Sequence, residues 1–362
     1  MTWNLTIEKT LIKLGFKKSM HEACVFYKID ENCTIIIAIY VDDILFFSNN
    51  TKLSKEIKRK LMSEYKMKDL GDLKYYLGIQ VYQDKSKNQL IINQKQYILK
   101  VLEKFGMSDS KPVATPLDTQ KNMLKENGDD GNLGTDIPYQ NLIGSMMYLA
   151  VCTRPDIAFS VSYLSQFNKQ PTVQNWKSAK RILRFLKGTI DLSIVYENVD
   201  DELIGYIDAD WASCQIDRRS YTGYAFKLSG GAISWESKKQ RTVAQSSAEA
   251  EYMALGEGTK EAMFMYHLYR EIFNEKLKIS LYNDNQSAQA LAKNSMFHNR
   301  TKHIDTKHHF VRQVLSENIM TLNYMATEHM PADMLTKPLP KAKHELCVQS
   351  FLKEVKNSKI VI

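Results

Sequence analysis

Residues 202–213, ELIGYIDADWAS, decide the fold of the second half of the chain: an apolar run turns polar at Asp208. A short apolar run bounded by polar turn residues is typical of a strand. Other strand patterns lie at 192–197, 222–228, 231–235, 278–283 and 319–325, and helical patterns lie at 247–273, 286–293, 303–317 and from Ala332 onward. Three successive strands, a helix, another strand and then helices predict a mixed sheet with helical cover.

Acidic residues follow two of these strands. Asp208 ends the first run, and Asp284 lies in KISLYNDNQSAQAL (278–291), where a strand gives way to a helix. A divalent metal needs several oxygen ligands held by rigid elements, so the two positions predict a site at one edge of the sheet. Either residue alone is more often a helix cap or a turn residue.

A third acid, Glu251, lies one turn into the predicted long helix, in AQSSAEAEYMALGEG (244–258). Ser246 and Glu249 have the spacing of a capping box, which gives Glu249 a structural task at the helix start. Glu251 lies beside Tyr252 and faces inward. A buried acid needs a partner, and we expect that partner to be a metal.

Asp333, in TEHMPADMLTKPLP (327–340), follows Pro331 near the start of a predicted helix. A carboxylate there equally suits the helix dipole. Histidine side chains are candidate proton shuttles for such a site. They are His303, His308, His309 and His329, although residues 300–313 are equally typical of a helix with a solvated basic face.

Together, Asp208, Glu251, Asp284 and Asp333 form an oxygen-rich set that suits two Mg²⁺ ions, with Mn²⁺ as a possible substitute. Two such ions about 4 Å apart catalyse phosphodiester hydrolysis. No serine, cysteine or histidine nucleophile is required. The set predicts a metal-dependent nuclease.

The first half of the chain has a different pattern. TIIIAIYVDDILFFS (34–48) predicts a hairpin with Asp42 and Asp43 at its turn, followed by a basic amphipathic helix over 51–65. Two strands and a helix near 96–105 come next. Residues 108–138, rich in proline, glycine and polar residues, predict a linker, and helical segments at 139–151, 156–167 and 173–187 predict a connector.

Composition describes a folded protein with a polyanionic partner. The 362 residues carry a formal net charge of +8, and residues 50–110 hold 13 Lys or Arg against 7 Asp or Glu. This favours nucleic acid, although a solvated helix face is the alternative. Five scattered cysteines indicate a reducing compartment. Neither a signal peptide nor a membrane span is expected, so we predict an intracellular protein that is not secreted.

Long strings of this sequence resemble a known family. In the second half they are GYIDADWA (205–212), GAISWESKKQRTVAQSSAEAEYMAL (231–255), YNDNQSAQALAKN (282–294), FHNRTKHIDTKHHFVRQ (297–313) and MPADMLTKPL (330–339). They resemble the ribonuclease H of copia-type LTR retrotransposon Pol polyproteins. Upstream, YVDDILFFSN (40–49), DLGDLKYYLGIQV (69–81) and SKPVATPLD (110–118) resemble the end of the reverse transcriptase in the same polyprotein, and GSMMYLAVCTRPDIAFSVSYLSQF (144–167) resembles its connection.

The resemblance implies an α+β or α/β architecture in successive domains. These are a partial reverse-transcriptase palm with a thumb-like basic segment (1–107), the linker (108–138), a helical connection (139–190), ribonuclease H (191–340) and a C-terminal tail (341–362). It also implies that the four carboxylates bind the metal, and that Asp42 and Asp43 are paired polymerase aspartates.

Three hypotheses for the function follow. One is an Mg²⁺-dependent enzyme that cleaves the RNA of RNA–DNA hybrids, with template-primer nucleic acid and the rest of a Pol polyprotein as further partners and no membrane; the resemblance implies the cytoplasm, the nucleus or both. The alternative is a catalytically idle nucleic-acid-binding remnant. The third is an unstable pseudogene product whose partial palm exposes apolar strands that fingers would normally cover. The fingers and the first catalytic aspartate of a reverse transcriptase are missing upstream of Asp42, so we expect this chain alone not to polymerise DNA.

Overall fold

The computed structural model describes residues 3–30, 33–119, 137–199, 202–214, 216–293 and 305–355. The first elements are α1 (Trp3–Lys13), β1 (Lys17–Lys18), β2 (Val25–Asp30), β3 (Cys33–Tyr40), β4 (Asp43–Ser48), α2 (Thr51–Glu64), β5 (Tyr75–Tyr76), β6 (Ile79–Asp84), β7 (Gln89–Asn93) and α3 (Lys95–Lys104).

The remaining elements are α4 (Tyr139–Cys152), α5 (Ala158–Ser165), α6 (Val173–Gly188), β8 (Leu192–Tyr196), β9 (Glu202–Asp210), β10 (Tyr221–Leu228), β11 (Gly231–Lys239), α7 (Ser247–Phe273), β12 (Lys278–Asn283), α8 (Gln286–Lys293), α9 (Asp305–Ser316), β13 (Met320–Tyr324), a 3-10 helix (Pro331–Leu335), α10 (Lys341–Gln349) and β14 (Lys353–Glu354). The predicted mixture of helices and strands is confirmed.

The chain forms two compact units. One comprises Met1–Asp72 with Lys260–Leu277, and the other comprises Leu73–Thr259 with Lys278–Ile362. The first unit has an antiparallel sheet in the order β1-β2-β3-β4. Alternate residues of β3 are buried. Because successive strand residues point to opposite faces, this strand packs one apolar face against buried residues of α1 and α2.

The second unit contains a large apolar core. Buried residues of α3, α4, α5, α6 and α10 form it together with residues of β8, β10 and β11. An antiparallel sheet in the order β14-β8-β7-β6-β5 belongs to the same unit. β7 and β14 both pair with β8, and α3 and α10 contribute to the apolar core. Residues 73–104 and 341–354 therefore pack with the middle of the chain.

A mixed sheet in the order β11-β10-β9-β12-β13 carries the predicted site. The pairs β11–β10 and β10–β9 are antiparallel, whereas β9–β12 and β12–β13 are parallel. β9 pairs with β12 so that Tyr206 lies opposite Tyr282. The carboxyl ends of these two central strands therefore meet at one edge, as the sequence predicted.

The predicted boundary of the first domain differs from the structure. Leu73–Lys104 packs with the second unit, although we predicted a domain over 1–107. The start of the predicted linker lies along α6, where the Arg184 Nε–H donates to the Lys111 carbonyl (2.7 Å) and Lys187 donates to the Ser110 carbonyl (2.8 Å). Local composition predicted a loop correctly, but not that arginine and lysine side chains would hold it. Residues 120–136 of the predicted linker lie outside the described residues.

The predicted helix from Ala332 and the predicted tail are also different. The helix ends as a 3-10 helix at Leu335, and α10 begins only at Lys341. Pro338 and Pro340 lie between them and cannot donate the hydrogen bonds that would continue a helix. Downstream, α10 buries part of its surface in the apolar core and β14 pairs with β8, so 341–354 is part of the fold.

No helix among the described residues is both long and apolar enough to span a membrane.

Candidate metal centre

Three of the four predicted carboxylates converge at the edge of the mixed sheet. Asp208 lies on β9, Asp284 directly follows β12, and Asp333 lies in the 3-10 helix. One carboxylate oxygen from each lies within 4.8 Å of the others. Because β9 and β12 run parallel in matched register, Asp208 and Asp284 come to the same edge. Asp333 joins them from a third element.

The fourth carboxylate, Glu251, lies on α7 with its residue only 5% exposed. Its Oε2 accepts a hydrogen bond from Asn283 Nδ2 at 2.9 Å, and the same amide nitrogen donates to the Ile207 carbonyl at 3.2 Å. This amide fixes the acid between β9 and β12. The inward orientation predicted for Glu251 is confirmed.

The neighbouring acid, Glu249, has the capping task that the sequence predicted. The Glu249 N–H donates to Ser246 Oγ (3.2 Å), and Glu249 Oε2 accepts from the Gln245 N–H (2.7 Å). In a capping box, the glutamate side chain would accept from the Ser246 N–H; here it accepts from the N–H one residue earlier. Glu249 serves the helix end, and Glu251 faces the carboxylates.

Close packing at Gly223 brings Asp333 to Asp208. Gly223 pairs with Asp208 across β10 and β9. A Cβ atom at Gly223 would lie 2.6 Å from the Leu335 Cβ and 2.8 Å from the Thr336 Cγ2. The chain after the 3-10 helix therefore rests directly on the β10 backbone. From there, the Thr336 hydroxyl donates a hydrogen bond to Asp208 Oδ2.

Burial of this many acids raises their proton affinity. Burial raises the pKa of Asp208 to about 7, and the Asp333 and Asp284 carboxylates contribute in the same direction while Lys337 opposes them. Burial, together with Asp208 and Asp284, raises the pKa of Glu251 well above its ordinary value. The largest cause of both shifts is burial, which penalises the charged form, and the neighbouring carboxylates add to it.

Two lysines supply part of that positive charge. Lys337 Nζ lies 2.8 Å from Asp333 Oδ1 and 3.5 Å from Asp208 Oδ2, and Lys343 Nζ lies 3.2 Å from Asp333 Oδ2. Burial lowers the pKa of Lys337, but the Asp208 and Asp333 carboxylates outweigh burial and raise it. Lys337 is therefore a charged ammonium among the acids.

The donor set fits a hard divalent cation. Every candidate ligand is a carboxylate oxygen, and Asp208, Glu251 and Asp333 are buried. Hydrogen-bond donors on neighbouring elements orient the carboxylates: Thr327 Oγ1 donates to Asp284 Oδ2 at 2.6 Å. Oriented, mutually repelling carboxylates are the surroundings in which a divalent cation is stabilised.

Sequence reasoning missed Asp210, Thr336 and Lys337. Asp210 follows Asp208 by two positions on β9, so both side chains point to the same face of the strand. Burial raises the pKa of Asp210, and Lys337 opposes that shift. The Asp-x-Asp spacing was a usable signal for Asp210, and the four-residue spacing was one for the pair of Asp333 and Lys337, whereas nothing local linked Lys337 to Asp208.

The predicted polymerase aspartates lie at the hairpin of the first unit. β3 ends at Tyr40, which pairs with Asp43, so Val41 and Asp42 form the turn. Val41 has φ 56°, an uncommon value for a β-branched residue. Asp42 and Asp43 are exposed, and within the described residues no third metal-binding side chain groups with them.

Of the four candidate proton-shuttle histidines, the structure describes the side chain of His329. His329 is exposed, and its Nε2 lies 3.4 Å from Glu328 Oε1. It follows Thr327, whose hydroxyl contacts Asp284, by two residues. His303 lies outside the described residues, as do the side chains of His308 and His309 on α9. The proton-shuttle hypothesis stays a prediction.

Comparisons with known proteins agree with the resemblance. Residues 1–119 match the family model described as reverse transcriptase (RNA-dependent DNA polymerase). The chain is 39% identical over 351 residues to the retrovirus-related Pol polyprotein from transposon TNT 1-94 of Nicotiana tabacum, covering 95% of this chain and 26% of that protein. It is 32% identical to the putative transposon Ty5-1 protein of Saccharomyces cerevisiae, covering 72% of this chain and 84% of that one.

Among solved structures, the chain is similar to ribonuclease H1 from Halobacterium salinarum NRC-1. The match has 16% sequence identity and a TM-score of 0.28, and covers 37% of this chain and 94% of that one. No conclusion rests on a superposition this weak.

A reverse-transcriptase region followed by a carboxylate-bearing mixed sheet defines a segment of a retroelement polymerase protein. The first Pol polyproteins matched are about four times longer than the chain, which spans about a quarter of their length. The chain belongs to the Pol family of copia-type LTR retrotransposons.

Proposed function

We propose that this chain is a metal-dependent endoribonuclease that cleaves the RNA strand of RNA–DNA hybrids. The observation that carries the proposal is the convergence of Asp208, Asp284 and Asp333 within 4.8 Å, at the edge of a mixed sheet. Glu251 lies buried beside them. Oxygen ligands brought together from separate rigid elements are what a catalytic Mg²⁺ site requires.

The four carboxylates would hold two Mg²⁺ ions, and Mn²⁺ has the same oxygen preference. When bound, such ions activate water and stabilise the leaving oxygen of a phosphodiester. The protein contributes the orientation of the ligands. The Thr336 hydroxyl holds Asp208, the Asn283 amide holds Glu251, and the Thr327 hydroxyl holds Asp284.

The substrate class follows from family and charge. The relatives are retroelement Pol polyproteins, and the net charge of +8 favours a polyanion. Hybrid recognition depends on backbone shape and 2′-hydroxyl groups more than on base edges, so we expect low sequence preference. Template-primer nucleic acid and the rest of a Pol polyprotein are further proposed partners, in the cytoplasm or the nucleus.

A cleavage assay tests the activity. The full chain is incubated with Mg²⁺ and an RNA–DNA hybrid labelled on the RNA, beside the Asp208→Asn variant. The amide keeps the size of the side chain but removes the charge that binds the metal. We expect internal cuts in the RNA with wild type, and a loss of rate of about 100-fold or more in Asp208→Asn.

The matched control is Glu249→Gln, which changes a neighbouring acid on the same helix that serves the cap. This variant should retain the wild-type cleavage rate. Absence of cleavage by wild-type protein that binds hybrid would reject the enzyme and leave the nucleic-acid-binding alternative. Equal losses in Asp208→Asn and Glu249→Gln would show that the loss reflects folding and not metal binding.

A further inference from the structure

Both oxygens of the Asp333 carboxylate lie at ion-pair distance from lysines, and Oδ1 accepts no hydrogen bond from any residue that the structure describes. Oδ1 lies 2.8 Å from Lys337 Nζ, and Oδ2 lies 3.2 Å from Lys343 Nζ. The Asp333 residue is only 2% exposed. The two lysines thus provide ammonium groups at the positions where a cation would otherwise approach this carboxylate.

The other carboxylates of the centre have different partners. Glu251 accepts from the neutral Asn283 amide, and Asp284 accepts from the neutral Thr327 hydroxyl. A hydroxyl or amide orients a carboxylate without cancelling its charge. A metal therefore meets little competition at these two ligands, whereas at Asp333 it competes with a positive charge.

The two lysines differ in how firmly they are held. Lys343 also donates to the carbonyls of Thr327 (2.6 Å) and Glu328 (2.7 Å), which anchor it in place. The contacts of Lys337 are to the carboxylates of Asp333 and Asp208. Its side chain is 28% exposed, against 20% for Lys343, and its four-carbon stem is flexible.

We propose that Lys337 is a positioning residue that acts as a built-in counter-cation: it occupies Asp333 and Asp208 in the metal-free protein and is displaced when metal binds there. The metal position that uses Asp333 is consequently the weaker of the two and fills second, because both Asp333 oxygens lie close to an ammonium group. This inference rests on the proposed two-metal site.

The physical basis is competition between cations for one ligand. Metal affinity of an oxygen site rises with the net negative charge of its ligands. An ammonium within 3.5 Å of two carboxylates cancels one unit of that charge. Metal binding must therefore displace the ammonium into solvent, and the free energy of doing so is subtracted from the affinity of that position.

The test is a Mn²⁺ titration of the full chain without nucleic acid, followed by the electron paramagnetic resonance signal of free Mn²⁺. Wild type should bind one ion tightly and a second weakly. In Lys337→Met, which keeps the length of the stem but removes the charge, the weak position should tighten by roughly 10-fold to 100-fold. Lys337→Arg keeps the charge and should retain the weak second ion.

Lys95→Met is the matched control, because Lys95 pairs with Asp191 at 2.6 Å outside the site and has a similar exposed fraction, 23% against 28%. It should bind Mn²⁺ as wild type does. Thermal unfolding in EDTA and in Mn²⁺ gives a second readout: Mn²⁺ should raise the melting temperature of Lys337→Met by more than that of wild type.

Unchanged or weakened Mn²⁺ binding in Lys337→Met would overturn the inference. If Lys337→Met does not fold in EDTA, the inference requires that Mn²⁺ restore folding, and failure to do so overturns it. These outcomes are separable from the proposed activity. If wild type binds one Mn²⁺ tightly and one weakly but does not cut hybrid, only the proposed nuclease is rejected. If wild type cuts hybrid but Lys337→Met binds Mn²⁺ as wild type does, only this inference is rejected.

Discussion

Gly223 shows how one residue without a side chain controls a site formed by others. It contributes no ligand, yet Leu335 and the side chain of Thr336 pack against it, and Thr336 lies next to Asp208. Neither its sequence neighbours nor its strand position distinguish it from an ordinary glycine. Only the packed structure shows that a Cβ atom has no room there.

We predict that Gly223→Ala weakens the metal site and destabilises the protein. The added methyl group would lie 2.6 Å from the Leu335 Cβ, so the segment with Asp333 must move away. Overpacking of this kind costs about 1–3 kcal/mol. Urea unfolding measures the loss of stability, and a Mn²⁺ titration measures the weaker binding. Gly144→Ala is the control, because no atom lies within 4 Å of a Cβ built there.

The candidate ligands differed in how well the sequence predicted them, because some are positioned by neighbours in the sequence and others by distant residues. Asp208 and Asp284 were recognisable from strand ends, and Glu251 was recognisable because the capping spacing accounts for Glu249. Asp333 was supported mainly by resemblance, since its position after Pro331 equally suits a charge at a helix start. Its approach to Asp208 depends on the packing of residues 335–336 against Gly223, more than 100 positions away, which local sequence does not predict.

At the scale of elements, the approach to α5 is held by a buried ion pair. Arg154 makes two hydrogen bonds to Asp156, at 2.9 and 2.6 Å, and donates to the Thr189 carbonyl and hydroxyl at the end of α6. Both charged side chains are almost fully buried. Arg154 therefore links the segment before α5 to the end of α6.

We predict that Arg154→Met destabilises the protein strongly. Removal of one partner leaves the Asp156 carboxylate buried without a countercharge, which costs about 3–5 kcal/mol. Urea unfolding followed by circular dichroism measures this. The double variant Arg154→Met with Asp156→Leu should lose less, because no buried charge remains unpaired. A double variant as unstable as the single one would contradict this explanation.

α10 adds a buried histidine to the same region. His344 packs edge-on against Phe185, and its Nε2 contacts the Asp156 carbonyl at 3.2 Å. Burial lowers the pKa of His344, more than the contact with Asp156 raises it, and Arg154 adds to the lowering while Glu345 opposes it. The folded protein therefore favours the neutral imidazole.

This shift predicts a loss of stability in acid. A depressed folded pKa means that the unfolded chain binds the proton more strongly, so the contribution of His344 is complete above about pH 6.5 and declines as the pH falls below it. Between about pH 7.5 and about pH 5.5, protonation of His344 should lower the free energy of unfolding, whereas the raised pKa values of Asp208 and Glu251 act in the opposite direction. The test is therefore a difference: His344→Gln, which does not titrate, should gain stability relative to wild type as the pH falls over that range. Parallel slopes for both proteins would exclude His344 as a source.

At the scale of the whole molecule, the packing units cut across the linear order of the predicted domains. The last part of α7 belongs to the first unit, where Glu271 accepts from the Ser19 hydroxyl (2.7 Å) and the Met20 N–H (2.8 Å). A single helix thus contributes to both units. Predicting domain boundaries from sequence assumes that consecutive residues belong to the same domain. α7 is an exception, because its two parts belong to different units.

The net charge of +8 gives a prediction for the whole chain. Binding to an uncleaved hybrid in EDTA should weaken as salt rises, because phosphate neutralisation releases counterions. Between about 50 and 200 mM KCl the loss should be about tenfold or more, corresponding to two or more phosphates. Fluorescence anisotropy with a labelled hybrid measures this. DNA duplex of equal length should show a similar salt dependence, and salt-independent hybrid binding would argue against a phosphate-contacting surface.

The sequence by itself determined the local elements and the family. Periodicity located the strands and the long helix of the mixed sheet, and the spacing around Ser246 separated the cap residue Glu249 from Glu251. These features depend on residues within one or two turns of each other, so backbone geometry and side-chain pattern specify them directly.

Only the tertiary structure decided how the candidate metal centre is assembled. It placed Asp333 against Asp208 across Gly223, and set Lys337 between the two carboxylates. It also made the end of the chain part of the core. Asp333 and Lys337 are four residues apart, but the contacts that bring them to Asp208 and Gly223 join residues more than 100 positions apart. These long-range contacts arise because burying apolar surface brings the segments together, which no local pattern encodes.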